Sequence, residues 1–482
     1  MNSNIAPNVS CEVVLGLPRR VALLYVLLFT VAITAYLLLW PDAPIIAADS
    51  PGYMEVAQDL EDFHIDQLHG RTPGYPLLLL LTGSSHTPTR TLFIVSLLLH
   101  FASIWLLAST LYLCGLKEKY LILFGLWLLL PLYVERAGYV LTENLCQFTL
   151  VLGCVGLIFW VIHRKIGWVL VSSIAIAYSG LIRPTYQILV LAVILWLLLV
   201  PMFSNIKRRE VVKAGVVLIS WSALLVGGYA LMNYLKFGYF GVTHYLGFHL
   251  TTRTIRYIEK LPDQYAVVRD ILIKHRDAHL IRPHSSHTGY MSIWSAIPEL
   301  KQATGLSEPQ LSRYLLHINL LLIRKAPLHY LHEVFWALST YCFPSVTELA
   351  SMNSWTIQLI WVIVHFFTLS IFIAITIGLL GVFFYIICRR FLSLSQSFAT
   401  QEVKSISMSI LSFLLSGTVV IYTALVSCLI EEGEPRVRTP TDALLVFMIF
   451  VGAYMWFFLL YHPSVVIGVK KPTNLTLETE TG

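Results

Sequence analysis

An all-α bundle of membrane-spanning helices, about ten or more, with one long non-cytoplasmic loop is the fold this sequence predicts. Three observations predict it. The 482 residues are 57% hydrophobic and 12% charged, about half the charge of a soluble domain. The apolar residues collect in runs of about 20, the length a helix needs to cross the hydrocarbon core. The basic residues recur at every second connection between those runs, the pattern that sets orientation in a membrane.

Taken in order, spans are expected at roughly 21–40, 91–114, 120–134, 144–162, 166–182, 185–202, 214–235, 356–388, 406–430 and 442–462. The third is short, and only Arg183-Pro184 separates the fifth from the sixth. The run 76–83 is too short to cross and is expected at the interface. No cleavable signal peptide is expected, because the first apolar run is as long as a span and no small-residue cleavage site precedes the acidic stretch after it. The seven cysteines are scattered, mostly inside apolar runs and without a CxxC pair, which argues against a structural zinc site or a disulfide framework.

With the N-terminus in the cytoplasm, Arg19-Arg20, Lys117 and Lys119, Arg164-Lys165, the cluster Lys207 to Lys213, Arg389-Arg390, Lys404 and Lys470-Lys471 all fall on the cytoplasmic side. Both termini are then cytoplasmic. The chain divides into a membrane module over 1–235 carrying a first non-cytoplasmic loop at 41–90, a long non-cytoplasmic loop with helices over 236–355, and C-terminal membrane helices with a cytoplasmic tail over 356–482. The histidines of the long loop are read as solvated or interfacial and as lacking HxxxH or HExxH spacing, so no metal is expected there. Internal repeats and low-complexity segments are absent.

The acids sort to the other face. Asp42, Asp49, Glu55, Asp59, Glu61, Asp62, Asp66, Glu135, Glu143, Glu431, Glu432, Glu434 and Asp442 share the short non-cytoplasmic segments with Arg71, Arg90, Arg136, Arg183, Arg436 and Arg438. Charges at helix ends often only snorkel, but arginines placed against the topological bias and beside so many acids point to a polar site at that face.

Five short stretches carry it. Asp49-Ser50-Pro51-Gly52 has the form of a helix start, with Asp49 or Ser50 able to cap and Pro51 suited to the first turn. Arg71-Thr72-Pro73-Gly74-Tyr75-Pro76 holds the chain non-helical before a leucine run. These two also fit a plain acidic surface helix followed by a turn. Thr142-Glu143 begins an apolar helix, where Thr142 can cap and the dipole favours Glu143. Arg183 is pinned by Pro184. In Glu434-Pro435-Arg436-Val437-Arg438, an extended backbone would put Arg436 and Arg438 on one side.

Together these residues suit one chemistry. A positioned carboxylate, Asp49, can accept a hydroxyl proton, and arginines offer forked donors to phosphate oxygens. A lipid phosphate would arrive laterally from the bilayer at this face.

At these positions the chain resembles the GT-C integral-membrane glycosyltransferases that use polyprenyl-phosphate sugars. It is most similar to the bacterial relatives of dolichyl-phosphate-mannose–protein mannosyltransferases and of the lipid A aminoarabinose transferase. The resemblance rests on Asp49-Ser50-Pro51-Gly52-Tyr53, Arg71-Thr72-Pro73-Gly74-Tyr75-Pro76, Leu141-Thr142-Glu143-Asn144, Gly180-Leu181-Ile182-Arg183-Pro184 and Gly433-Glu434-Pro435-Arg436-Val437-Arg438-Thr439-Pro440. It runs through most of the chain in order. It implies a GT-C bundle with Asp49 as catalytic base and a donor site drawn from Arg71, Tyr75, Glu143, Arg183, Glu434, Arg436 and Arg438. The mannosyltransferases carry an adjacent acidic pair where this chain has Asp49 alone. A divalent metal is therefore not indicated, no cofactor is expected, and Asp59 is the candidate second carboxylate.

The expected function is an inverting transfer of a sugar from a polyprenyl-phosphate carrier to a hydroxyl on a glycan, lipid or protein, at the periplasmic or extracellular face of a bacterial inner membrane. No nucleic acid is expected as a partner. The rival is a secondary transporter or lipid flippase, which would place its ionisable residues near the bilayer midplane.

Overall fold

The computed structural model of the chain describes residues 13–461 apart from 15, 41–42, 65–69, 280–285, most of 343–400, 432 and 434. Helices dominate it, and the strands amount to Val13–Val14 paired antiparallel with Leu17–Pro18. Helix α1 (Arg19–Leu39) starts behind Pro18 and ends at Trp40. It is apolar on every side, and Leu38 and Leu39 are 79% and 81% exposed. A helix so apolar and so uncovered has lipid as its natural solvent. Among the described residues, seven helices are long and apolar enough to cross a membrane: Arg19–Leu39, Arg90–Leu113, Glu143–His163, Pro184–Phe203, Arg208–Phe237, Lys404–Ile430 and Arg436–Phe458. They coincide with seven of the expected spans. The protein is an integral membrane protein built as a helical bundle.

The remaining spans turn out otherwise. In the third, α5 (Glu118–Leu128) stops before Pro131, and the continuation Pro131–Gly138, beginning with α6 (Pro131–Val134), is bent from it by 63°. Proline removes an N–H and crowds the preceding turn, so the end of α5 is left with a free carbonyl. His100 from α4 (Arg90–Leu113) takes it, with Nε2 2.9 Å from the Leu128 carbonyl, while its Nδ1 lies 3.0 Å from Gln147 Nε2 on α7 (Glu143–His163). That contact satisfies polar groups buried between three helices. The fifth is the 17-residue α8 (Ile166–Ile182). The span expected at 356–388 lies outside the described residues.

The other elements of the bundle follow. Between α1 and α4 run α2 (Ser50–Glu61) and α3 (Gly74–Leu81), the latter matching the short apolar run. After α8 come α9 (Leu189–Phe203), α10 (Arg208–Ser222) and α11 (Gly228–Phe237). Past the long loop, α17 (Gln401–Ile430) and α18 (Pro435–Tyr461) close the bundle. Trp196 of α9 donates to the Leu411 carbonyl of α17 at 3.0 Å, and α17 also contacts the turn after Arg183 through Tyr422, which donates to the Thr185 carbonyl at 2.7 Å. One core cluster runs from Leu17 to Met455. By alternation, α1, α8 and α17 end where α4, α7, α9 and α18 begin.

The long loop folds into α12 (Leu246–Thr254), α13 (Ala266–Ala278), α14 (Ser286–Thr304), α15 (Glu308–Lys325) and α16 (Pro327–Cys342). They share a separate core that includes Phe248, Leu272, Ile293 and Leu315. This body sits on the first loop: Thr243 donates to the Gly70 carbonyl at 3.0 Å, and the Tyr245 ring fills the space where a Cβ at Gly70 would stand. Two of the histidines here, His275 and His279, do have the four-residue spacing that puts a pair on one helix face. Both meet Ser295, and His275 also meets Glu299 at 2.9 Å. Among the described residues, no group of three or more His, Cys, Asp or Glu is placed to hold a metal.

Candidate functional site

The site is assembled by backbone contacts between the motif-bearing turns. The segment before α2 pairs with the segment before α7: Ile45 N–H donates to the Gly138 carbonyl at 2.7 Å and Val140 N–H to the Ile45 carbonyl at 3.0 Å. Ser50 fastens the same two segments, accepting from Ala47 N–H and donating to the Val140 carbonyl, both at 2.8 Å. This brings Asp49 towards Glu143. On the other flank the turn Arg71–Gly74 lies directly on the end of α8. Thr72 donates to the Ile182 carbonyl at 3.0 Å and Tyr178 to the Gly74 carbonyl at 2.7 Å. A Cβ at Gly74 would stand 2.7 Å from the Leu181 carbonyl, so only glycine permits the approach. Arg183 itself is extended (φ −135°, ψ 123°), as a residue before proline tends to be.

The side chains then meet in one chain of ion pairs. Asp49 stands at the N-cap position of α2, but its carboxylate makes no cap bond. One oxygen accepts from Arg71 Nη2 at 2.5 Å and the other from Arg436 Nη2. Arg436 Nε donates to Glu143 Oε1 at 2.8 Å, and Arg183 Nη1 lies 3.6 Å from that same oxygen. The Arg71 guanidinium lies over the Tyr53 ring at 4.8 Å, a cation–π contact. Tyr75 is buried behind it, edge-on to Tyr53 at 5.3 Å.

Five of the expected residues, Asp49, Arg71, Glu143, Arg183 and Arg436, are thus in one network, with Tyr75 supporting it. Burial on its own would raise the Asp49 carboxyl, but the Arg436 and Arg71 guanidiniums outweigh it and hold the group down at about 2. Glu143 is 1% exposed. Among the described residues, Tyr75 OH, Thr142 Oγ1, Glu143 Oε2 and Arg183 Nη1 are buried without a hydrogen-bond partner. Native proteins leave few such groups, and each calls for an explanation. Their gathering around one ion-pair network is what a polar ligand site provides.

Other expected residues are elsewhere. Arg436 and Arg438 do not share a side, because residues 435–461 are helical and two residues along a helix diverge. Arg438 is buried, paired with Asp442 at 2.9 Å, and donates to the Tyr341 and Cys342 carbonyls at the end of α16 at 2.8 and 3.0 Å. Asp59 stands ten residues along α2 from Asp49, about 15 Å of helical rise. Glu434 lies outside the described residues. Two contributors were not picked out as site residues by sequence: Tyr53, although it stands four residues after Asp49, and Arg136, half-buried and close enough to Glu143 to act on it.

The fold and this network define an α-helical integral membrane protein with an arginine–carboxylate cluster at one end of its bundle. No family model and no curated protein matches the chain. Among solved structures it is similar to ArnT from Cupriavidus metallidurans bound to undecaprenyl phosphate, at 15% identity and a TM-score of 0.36, over 92% of this chain and 78% of that one. It is also similar to the same protein in its apo state, at 11% identity and a TM-score of 0.33, over 90% of this chain and 77% of that one.

Proposed function

We propose that the protein is an inverting glycosyltransferase that moves a sugar from a polyprenyl-phosphate carrier to a hydroxyl acceptor at the non-cytoplasmic face, in a bacterial inner membrane. The observation that carries this is the single network in which Asp49 is held between Arg71 and Arg436 while Arg436 and Arg183 meet Glu143. The paired groups, three guanidiniums against two carboxylates, leave one positive charge in excess, and the nearby Arg136 is offset by Glu135. A polyprenyl-phosphate sugar is a phosphodiester with one negative charge, and its phosphate gains a second as the sugar departs. Fixed cations at that position favour the transition state over the ground state.

In the reaction, the acceptor oxygen forms a bond to the anomeric carbon from the side opposite the phosphate. The bond from that carbon to the phosphate oxygen breaks with its electron pair, and Asp49 takes the acceptor's proton. In the resting arrangement both Asp49 oxygens accept from arginines and the carboxylate is a weak base. A donor phosphate draws those guanidiniums to itself, which frees an oxygen and raises its basicity. Glu143 holds Arg436 and Arg183 in place.

The whole of 1–235 would form the catalytic membrane module, 236–355 a body covering the site, and 356–482 the helices that bring Arg436. A transporter or flippase is supported less well, since this cluster gathers at helix ends and not on broken helices at midspan. The test is incubation of purified protein with a panel of radiolabelled polyprenyl-phosphate sugars and membrane extract. Transfer to a hydroxyl-bearing product that is lost in Asp49→Asn is the expected result. No transfer from any of these donors, with lipid movement between leaflets instead, would overturn the reading.

A further inference from the structure

The long-loop body contains a guanidinium that is buried more completely than any in the ion-pair network. Arg253 on α12 is 1% exposed, and such a group is retained only where its donors are used. Its Nη1 reaches the Glu333 carbonyl of α16 at 3.3 Å, and its Nη2 donates to the Glu431 carbonyl just beyond α17. Tyr330 of α16 donates to the Leu429 carbonyl at 2.7 Å. The last carbonyls of a helix have no partner within it, so these two side chains cap the end of α17 from another body. The chain then turns through Gly433, whose φ of +68° and approach to Ala337 leave no room for a side chain: a Cβ would stand 2.3 Å from the Ala337 carbonyl. Pro435 opens α18, and Arg436 follows. Arg436 is therefore five residues from a carbonyl that Arg253 holds, with Gly433 between them seated on α16.

We infer that Arg253 is a positioning residue for Arg436: its hold on the Glu431 carbonyl, together with the seating of Gly433 on α16, sets where α18 begins and so brings Arg436 onto Asp49 and Glu143. Arg253 does not touch the substrate. It makes the folded body of the long loop a determinant of the site's geometry, so that displacement of that body would withdraw Arg436 from the base. In catalytic terms this deepens the glycosyltransferase reading, on which the importance of Arg436 rests.

The experiment reads whether Arg436 covers Asp49, and needs no sugar donor. Full-length protein in detergent is treated with the apolar reagent dicyclohexylcarbodiimide, which modifies accessible, protonatable carboxyl groups, and labelling of Asp49 is followed by mass spectrometry. The parent should label weakly and Arg436→Gln strongly. Arg253→Met should label about as strongly as Arg436→Gln, Arg253→Lys should fall between, and the double variant should exceed neither single one, since two changes acting through one contact do not add. Gly433→Ala disturbs the same turn from its other side and should behave like Arg253→Met. It also decides the matter if Arg253→Met does not accumulate.

Parent-level labelling in both Arg253→Met and Gly433→Ala, or a double variant whose labelling is the sum of the two, would overturn the inference. A protein that labels as expected but transfers no sugar would remove the transferase reading and leave this one standing. In the transfer assay, Arg253→Met should raise the donor KM more than it lowers kcat, which general loosening of the fold would not do.

Discussion

Replacing Arg436 by Gln tests the network at its centre, because this one side chain joins the two carboxylates. Glutamine keeps a donor but removes the charge and the fork. Asp49 would keep Arg71, at 2.5 Å. Glu143 would keep Arg183, 3.6 Å away, and the neighbouring Arg136. Removing one partner from a buried ion pair costs about 3–5 kcal/mol, because the other is left uncompensated. With those arginines remaining, the lower end, about 3 kcal/mol, is expected here. A hydrogen bond to a charged group is worth about 1.5–3 kcal/mol, so loss of the donor contact should weaken donor use roughly 10- to 150-fold at 1.4 kcal/mol per decade. The assays are chemical unfolding in detergent and donor titration at saturating acceptor. Adding Glu143→Gln takes the carboxylate away from Arg183 and Arg136 as well, so the double variant should lose further stability and recover none of the lost transfer. Parent-like stability in Arg436→Gln would refute the network as drawn. Transfer restored together with stability in the double variant would make Arg436 a structural residue and not a donor contact.

Asp49→Asn should abolish transfer while the protein still inserts and accumulates, since an amide keeps the shape but is a very poor base; near-normal turnover would move the base elsewhere. The same variant has a pH signature. The Asp49 pKa is lowered from 3.8 to about 2, so its stabilisation is fully present above about pH 4 and is lost as pH falls through about 2; two units correspond to about 2–3 kcal/mol. Unfolding of parent and variant should therefore differ at pH 6 and converge towards pH 2, and an unchanged difference would contradict the ion pairing. Arg183→Ala should weaken donor use roughly 10- to 150-fold, and Arg183→Lys should not restore it, whereas the exposed Arg209→Ala should stay within about threefold of the parent. For orientation, a cysteine at Ile46, which is exposed, should be labelled from outside and one at Arg208 only after permeabilisation; labelling of 208 in intact cells would invert the site's placement.

How much of this was legible in the sequence depended on where each constraint resides. The spans could be read because lipid demands long apolar helices, and seven of the expected ones have their counterpart. Asp49, Arg71 and Arg183 could be read because each sits on a short turn fixed by proline or glycine, where local chemistry leaves few conformations, and Glu143 because it opens an apolar helix directly after Thr142. The bend at Pro131 could not, because a short apolar run ending in proline fits either a short span or a broken one until His100 is seen to take the Leu128 carbonyl. Arg438 was grouped with Arg436 on the assumption of extended backbone; helix period separates them and sends Arg438 to the end of α16. Arg253 left no signal. Its partners are backbone carbonyls of Glu333 and Glu431, and a carbonyl has the same chemistry at every residue, so no pattern of side chains marks the contact in advance.

If the protein is the transferase proposed above, the resting network also bears on the order of events. Both Asp49 oxygens are taken by guanidiniums, so an acceptor hydroxyl arriving first meets a carboxylate whose proton affinity has been reduced by its neighbours. A donor phosphate arriving first competes for Arg71 and Arg436 with oxygens that carry charge, and each fork that turns towards it restores a lone pair on Asp49. Binding of the donor and readiness of the base are then the same event, with Glu143 and Arg183 as the fixed part of the frame. On the proposed transferase reading, the geometry that leaves Asp49 a poor base at rest would couple its activation to binding of the donor.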